Sequence, residues 1–172
     1  MITVESLPQR ADVLRQAFGC FPSGVTAVCA VGEEGPVGMA VSSFTSVSLA
    51  PPLLSVCVQS SSSTWPKLRE SPRLGVSVLA EHQAVSGRRL SMKTGDRFAG
   101  MAWSASPEGA LFVSGAAASF DCAIHAEVPA GDHTMVLLAV LGLQAMPDVA
   151  PLVFHGSRFR RLETEESVME AS

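Results

Sequence analysis

Residues 121–128 alternate in character, with Cys122, Ile124, Ala126 and Val128 on one face and Asp121, His125 and Glu127 on the other. That is the period of a half-buried strand. Pro129, Ala130, Gly131 and Asp132 then read as a turn, and residues 133–144 run back apolar on both faces, as a strand buried on two sides would. The two form a hairpin, and such a hairpin commits the chain to antiparallel sheet.

The rest of the chain agrees. Residues 24–31, 53–59 and 74–79 are short, β-branched and bounded by turn residues. Val13, Leu14, Ala17 and Phe18 recur at helical spacing and predict one amphipathic helix over 10–20, stopped by Gly19 and Pro22. Short helices fit 64–70 and 81–90, the second weakened by Gly87. Many short strands with few helices predict a mainly β fold closed into a barrel.

At 172 residues the chain is one domain by length. It is 47% hydrophobic and only 16% charged, against about 25% charged in a typical soluble domain. Burial against another subunit, or a well-filled barrel, would account for the deficit. A net charge of -4 and a pI near 5.5 argue against a nucleic-acid partner. No apolar run approaches the roughly 20 residues of a membrane span. The N-terminus lacks the basic start and apolar block of a secretory signal, so a cytoplasmic protein is expected. Cys20, Cys29, Cys57 and Cys122 show neither C-x-x-C nor metal-finger spacing, which predicts buried reduced thiols and no metal. Residues 163–172 are acidic without apolar periodicity and read as a flexible tail after a domain spanning 1–162.

The segment from Gly38 to Leu54 packs hydroxyls into what otherwise reads as a buried strand, with no acid, base or thiol until Cys57. Such a cradle suits a cofactor that brings its own chemistry. A serine-rich strand and turn closed by Pro51 and Pro52 is the plainer alternative. Ser60 to Pro66 has the composition of a helix start, which is either an ordinary cap or, with free N–H groups and several hydroxyls, an anion site. His133, at the start of a buried strand, reads either as a satisfied core histidine or as a functional one.

These residues also carry a likeness. Gly38-Met39-Ala40-Val41-Ser42-Ser43-Phe44-Thr45, Leu54-Ser55-Val56-Cys57-Val58-Gln59-Ser60, Arg73-Leu74-Gly75-Val76-Ser77-Val78, Asp96-Arg97-Phe98-Ala99-Gly100, Ala130-Gly131-Asp132-His133-Thr134 and Phe159-Arg160-Arg161-Leu162 stand in the order of the short-chain flavin reductase family, which the chain resembles over residues 10–162. The resemblance implies a split, Greek-key-like flavin-binding β-barrel that forms a homodimer, with flavin near the subunit interface. It further implies hydride transfer from NADH or NADPH to FAD or FMN, the reduced flavin passing to a separate monooxygenase.

By the same resemblance, Val41, Ser42, Ser43, Phe44 and Thr45 wrap the flavin ring and ribityl chain, and Cys57, Val58 and Gln59 line the same pocket. Ser60, Ser63 and Thr64 lie near the flavin phosphate, with Arg97 and Lys93 supplying positive charge. Asp132 and His133 belong to the nicotinamide side, where the imidazole would bond the carboxamide or the diphosphate; Phe159 and Arg160 close the same region. With no tyrosine, an aromatic sandwich around the ring is not expected. Hydride passes directly once the two cofactors approach to about 3–3.5 Å, so no catalytic side chain is required, and the missing G-x-G-x-x-G fingerprint is no objection. The rival readings are a non-enzymatic flavin carrier or sensor on a similar barrel and, far behind, a Ser-His-Asp hydrolase, for which no G-x-S-x-G elbow is present.

Overall fold

A computed structural model describes residues 10–162; the expected tail over 163–172 lies outside them. Helix α1 (Ala11–Phe18) precedes strands β1 (Ser23–Gly24), β2 (Thr26–Gly32), β3 (Gly35–Val41), β4 (Thr45–Leu49) and β5 (Pro52–Gln59). After helix α2 (Trp65–Arg69) come β6 (Leu74–Val78), a 3-10 turn over Glu81–Gln83, helix α3 (Ala84–Leu90), and the short pair β7 (Trp103–Ala105) and β8 (Leu111–Val113). The long hairpin is β9 (Ala118–Ala130) and β10 (His133–Ala145), and β11 (Val153–His155) and β12 (Arg158–Arg160) end the fold.

Seven strands form one antiparallel sheet in the order β3-β2-β6-β9-β10-β5-β4. Its two edge strands, β3 and β4, are consecutive in the chain and separated only by residues 42–44. So short a link spans at most about 3.5 Å per residue, so the sheet must curl until its edges meet at that end. The result is the expected split barrel: mainly β, with the split marked by residues 42–44.

Strand β2 shows where the layers lie. Val28 and Ala30 point into one core with Leu54, Val56, Val76, Val136 and Leu138, the barrel interior, closed at one end by Trp65 and Leu68 of α2. Ala27 and Cys29 point the other way, into a second core with Leu79, Leu90, Leu111, Leu152 and Phe98. That outer layer is roofed by α3, the β7–β8 pair and a small sheet ordered β1-β11-β12. Strand β8 passes so close over β6 that a Cβ on Gly75 would overlap the backbone of Leu111; only glycine fits there. Gly87, the weak point of α3 by propensity, is where that helix meets the core, since a Cβ there would touch Leu79 and Phe159 at 3.4 Å.

The amphipathic helix expected over 10–20 forms as Ala11–Phe18 and ends at Gly19, with none of its residues buried in this chain. Two expectations need correction. The alternation in 121–128 breaks at His125, because Leu137 faces Ala126 and Leu138 faces Ile124, leaving His125 as the extra residue of a β-bulge. Beyond it the faces exchange: Glu127 turns inward to Trp65 while Val128 is exposed. Strand β10 is central, yet not buried on two sides within the chain. Val136 and Leu138 are enclosed, whereas Met135, Leu141 and Leu143 are exposed; Leu141 is the extra residue of a second bulge, beyond which Leu143 lies opposite Phe120.

Candidate functional site

Residues 42–44 cross from one edge of the sheet to the other where no ladder holds them, and the Ser43 hydroxyl supplies the missing bonds. It accepts from the Cys57 N–H at 2.8 Å and donates to the Cys57 carbonyl at 3.1 Å. Thr26 Oγ1 donates to the Val41 carbonyl at 3.2 Å just before the crossing. Phe44 turns into the barrel and packs on Phe120, ring centroids 5.9 Å apart.

Between this crossing, the end of β5 and the loops after β5 and α3 opens a cleft of about 660 Å³, within the size range of small-molecule and cofactor sites. Val41, Ser42 and Ser43 form one wall and Cys57, Val58 and Gln59 another; Ser63, Thr64, Lys93, Arg97 and His133 complete it. Eleven of the residues expected from sequence thus meet in one cavity.

The electrostatics of the cleft rest on Arg97. Its Nη1 donates to the Gly38 carbonyl at 2.9 Å and to Thr64 Oγ1 at 2.7 Å. Neither acceptor carries charge, and among the described residues neither Arg97 nor Lys93 has a carboxylate partner. The guanidinium has five donors in a planar fork, so the arms not spent on Gly38 and Thr64 remain for a ligand. Gly38 itself has no room for a side chain, since a Cβ there would overlap Cys29 Sγ, with Phe98 at 2.9 Å.

The serine run has a division of labour that composition does not reveal. Ser62 is the cap, its Oγ accepting from the N–H of Trp65 at 3.1 Å and of Thr64 at 3.3 Å. Thr64 is buried and orients Arg97, leaving the Ser61 and Ser63 hydroxyls exposed. Helix α2 is only five residues long, so positive potential here comes from the two cations more than from aligned peptide dipoles.

His133 pairs with Gln59 across β10 and β5, which brings its ring to the cleft. Its Nδ1 lies 2.7 Å from Asp132 Oδ1. That hydrogen bond, and then the charge of the imidazole, hold the Asp132 carboxyl below the usual carboxylate range.

Six expected residues lie outside the lining. Phe44 is in the barrel core and Thr45 sits on the edge strand opposite Ser55. Ser60 donates its N–H to the Asp132 carbonyl at 2.9 Å, and the Asp132 side chain is exposed. Phe159 packs in the outer core against Phe154, ring centroids 5.8 Å apart, with the Arg88 guanidinium 5.4 Å from its own centroid, and Arg160 is exposed beside it. Conversely Met39, Ala40, Ser61, Ser62, Leu90, Ser91 and Met92 line the cleft unanticipated. The two serines belong to a run already singled out by its hydroxyls. Leu90 to Met92 carry no such signal, being an ordinary helix end brought there by packing.

Other features offer less chemistry. A second cleft of about 340 Å³ lies between the β8–β9 turn and the far end of β10. The one charged group in its wall, Asp121, is paired with Arg73 at 3.3 Å. No group of three potential metal ligands occurs among the described residues. Of the four thiols expected to be buried, Cys29 and Cys122 are, Cys57 is half-buried, and Cys20 is exposed just beyond α1. Burial pushes the thiols of Cys29 and Cys122 up to about 12, so neither is a nucleophile at neutral pH.

A curled antiparallel barrel, split beside a hydroxyl-lined cleft with two uncompensated cations, is an arrangement suited to holding a phosphorylated cofactor. The chain belongs to the flavin reductase family: the family model described as "Flavin reductase like domain" matches residues 18–163. It is 41% identical over 159 residues to an NADH-dependent FAD reductase of Streptomyces globisporus, covering 90% of this chain and 87% of that protein. It is 32% identical over 154 residues to the reductase subunit of a flavin-dependent monooxygenase from Rhodococcus jostii, covering 90% and 79%. A solved structure of the Streptomyces globisporus NADH:FAD oxidoreductase, in complex with NAD and FAD fragments, superposes with a TM-score of 0.86 at 38% identity, covering 94% of this chain and 99% of that one.

Proposed function

We propose that this protein is an NADH:flavin oxidoreductase that reduces FAD, or FMN, and passes the reduced flavin to a separate monooxygenase. The observation that carries this reading is the pair Arg97 and Lys93, uncompensated by any described carboxylate, in a cleft otherwise lined mainly by hydroxyls and apolar groups, with Cys57, Gln59 and His133. In a chain of net charge -4, two such cations fit a phosphorylated ligand. The cavity is large enough for the ring system and ribityl phosphate of a flavin.

In this reading Arg97 and Lys93 bind the flavin phosphate, Ser63 adds a hydroxyl, and the backbone of residues 41–43 and 57–59 runs along the polar edge of the ring. His133 orients the nicotinamide at the cleft mouth. Bound flavin supplies the hydride-accepting nitrogen, so this chain's own residues position the reactants and move no proton. The names of the similar proteins support NADH as donor and FAD as acceptor, and a reductase subunit among them supports the monooxygenase partner.

No described helix is long and apolar enough to cross a membrane. All four cysteines are free, which fits a reducing cytoplasm. A homodimer is part of the proposal, since β10 leaves Met135, Leu141 and Leu143 open to solvent.

The deciding measurement is loss of the nicotinamide absorbance band with purified protein, NADH and added FAD or FMN. Loss that depends on both protein and flavin is the expected result. Flavin binding without NADH or NADPH oxidation would leave a flavin carrier instead.

A further inference from the structure

Strand β12 carries Arg158 and Arg160 on one face and turns Phe159 the other way, into the outer core. Both arginines are exposed, as is Arg161 just after the strand. None of the three lines the cleft, and the core uses only the phenylalanine. Exposed charge ordinarily does no more than keep a protein soluble. Its placement here goes further.

The Arg88 guanidinium lies 5.4 Å from the centroid of the Phe159 ring, so α3 brings its own cations alongside β12. Arg89, the next residue, reaches the loop that follows α3: its Nη1 is 3.4 Å from where a Cβ on Gly100 would lie. That loop carries Arg97, and α3 runs out through Leu90, Ser91 and Met92 to Lys93, all of them in the cleft wall. The cations thus form a band from β12 across α3 to the cleft. Seven of the twelve lysines and arginines stand in the two segments 88–97 and 158–161. The one carboxylate there, Asp96, accepts the Phe98 N–H at 2.9 Å. Among the described residues none of the seven is in an ion pair. With a net charge of -4 overall, the rest of the chain is strongly negative, and Glu33, Glu34 and Glu70, with Lys67, line a separate cleft beside α2.

An anionic ligand meets this asymmetry before it makes contact. A chain of net negative charge repels an anion on average, and exposed charges act over a Debye length, about 10 Å at 0.1 M salt. A band of positive sign that ends in a cleft reverses that repulsion locally and raises the rate of encounter. We propose that Arg88, Arg89, Arg158, Arg160 and Arg161 form an encounter surface that steers phosphorylated flavin toward the cleft without contacting it once bound. This rests on the reductase reading above. The band acts on association, while Arg97 and Lys93 hold the ligand that arrives.

Stopped-flow fluorescence separates the two roles. FMN and riboflavin share the ring system and only FMN carries a phosphate, so riboflavin is the neutral control. The triple variant Arg158→Gln, Arg160→Gln, Arg161→Gln removes three exposed charges and leaves Phe159 in its core. For wild type, the FMN association rate constant should fall about tenfold between about 20 and 300 mM salt, and that of riboflavin should stay constant. At low salt the glutamine variant should bind FMN about three- to tenfold more slowly, with FMN dissociation and both riboflavin rates unchanged. The matching Arg→Lys triple variant should behave as wild type, because steering depends on charge and not on the guanidinium fork. FMN association indifferent to the three arginines at low salt overturns the proposal. So does faster FMN dissociation that lysine fails to restore, which would mean that the guanidinium groups grip the bound ligand. Riboflavin association slowed to the same degree overturns it as well, since a neutral ligand feels no steering. If wild type binds neither flavin, the reductase reading falls and the steering with it; if it binds both with the same salt dependence, only the steering falls.

Discussion

Arg97 spends one nitrogen on Gly38 and Thr64 and keeps the rest of its fork for a ligand, and that division predicts a graded series. Arg97→Ala should weaken flavin binding about ten- to hundredfold, the loss of a charge-assisted contact, with little change in melting temperature. Thr64→Val keeps the shape and removes the hydroxyl, so it should weaken binding less, through misaligned Arg97. Flavin titration by fluorescence quenching measures both, and equal affinity across the series would place the phosphate elsewhere. Cys29 and Cys122 carry a pH prediction. Their folded-state thiols titrate near 12 against 9.0 for an ordinary cysteine, because burial disfavours the thiolate. Between those values the unfolded chain releases protons that the folded chain retains. The stability they contribute is therefore complete below about pH 9 and lost as pH climbs through 12. Denaturant midpoints falling across that window, and native protein whose Cys20 reacts with a thiol reagent while Cys29 and Cys122 do not, are the expected results.

Between elements, the join most open to test is the one Ser43 makes. Ser43→Ala removes a donor and an acceptor from Cys57 at once, and should cost about 1–3 kcal/mol, read as a lower denaturant midpoint at unchanged slope. No loss would mean that residues 42–44 are held by Phe44 in the core alone. Strands β2, β5 and β6 were legible from composition and turn residues, and so was the β9–β10 hairpin, whereas β7, β8 and β11 were not anticipated. The phase beyond His125 was not, because a bulge inserts one residue into a period of two and leaves no mark in residue type. Here the bulge turns Glu127 toward Trp65 Nε1 at 2.9 Å and Arg69 at 2.8 Å, tying α2 to β9. A carboxylate in a strand otherwise reads as solvent-facing. The roles within Ser60 to Thr64 were equally hidden: four adjacent serines look alike until backbone geometry makes Ser62 the cap.

For the whole molecule, the exposed apolar residues of β10 set the expectation. Leu141 and Leu143, 55% and 68% exposed, should be covered by a second copy, so Leu141→Asp with Leu143→Asp should convert a dimer to monomer in sedimentation velocity. Wild type sedimenting as a monomer at micromolar concentration would remove the dimer from the proposal. The low charge content and two-sided apolarity of residues 133–144 are sequence properties, and they report that both faces seek cover without saying from where. The same limit applies to the site. Local signals determined β2, β5, β6, the β9–β10 hairpin and the hydroxyl-rich crossing, because periodicity and turn chemistry are written in neighbouring residues. Ordered motif matches marked most of the cleft before its shape was known. Only the tertiary structure decided that β3 and β4 meet across three residues, that α3 delivers Leu90, Ser91 and Met92 to the cleft, and that β12 holds Phe159 and Arg160 away from it. Those are distances between residues far apart in the chain, set by how a curled sheet closes and packs.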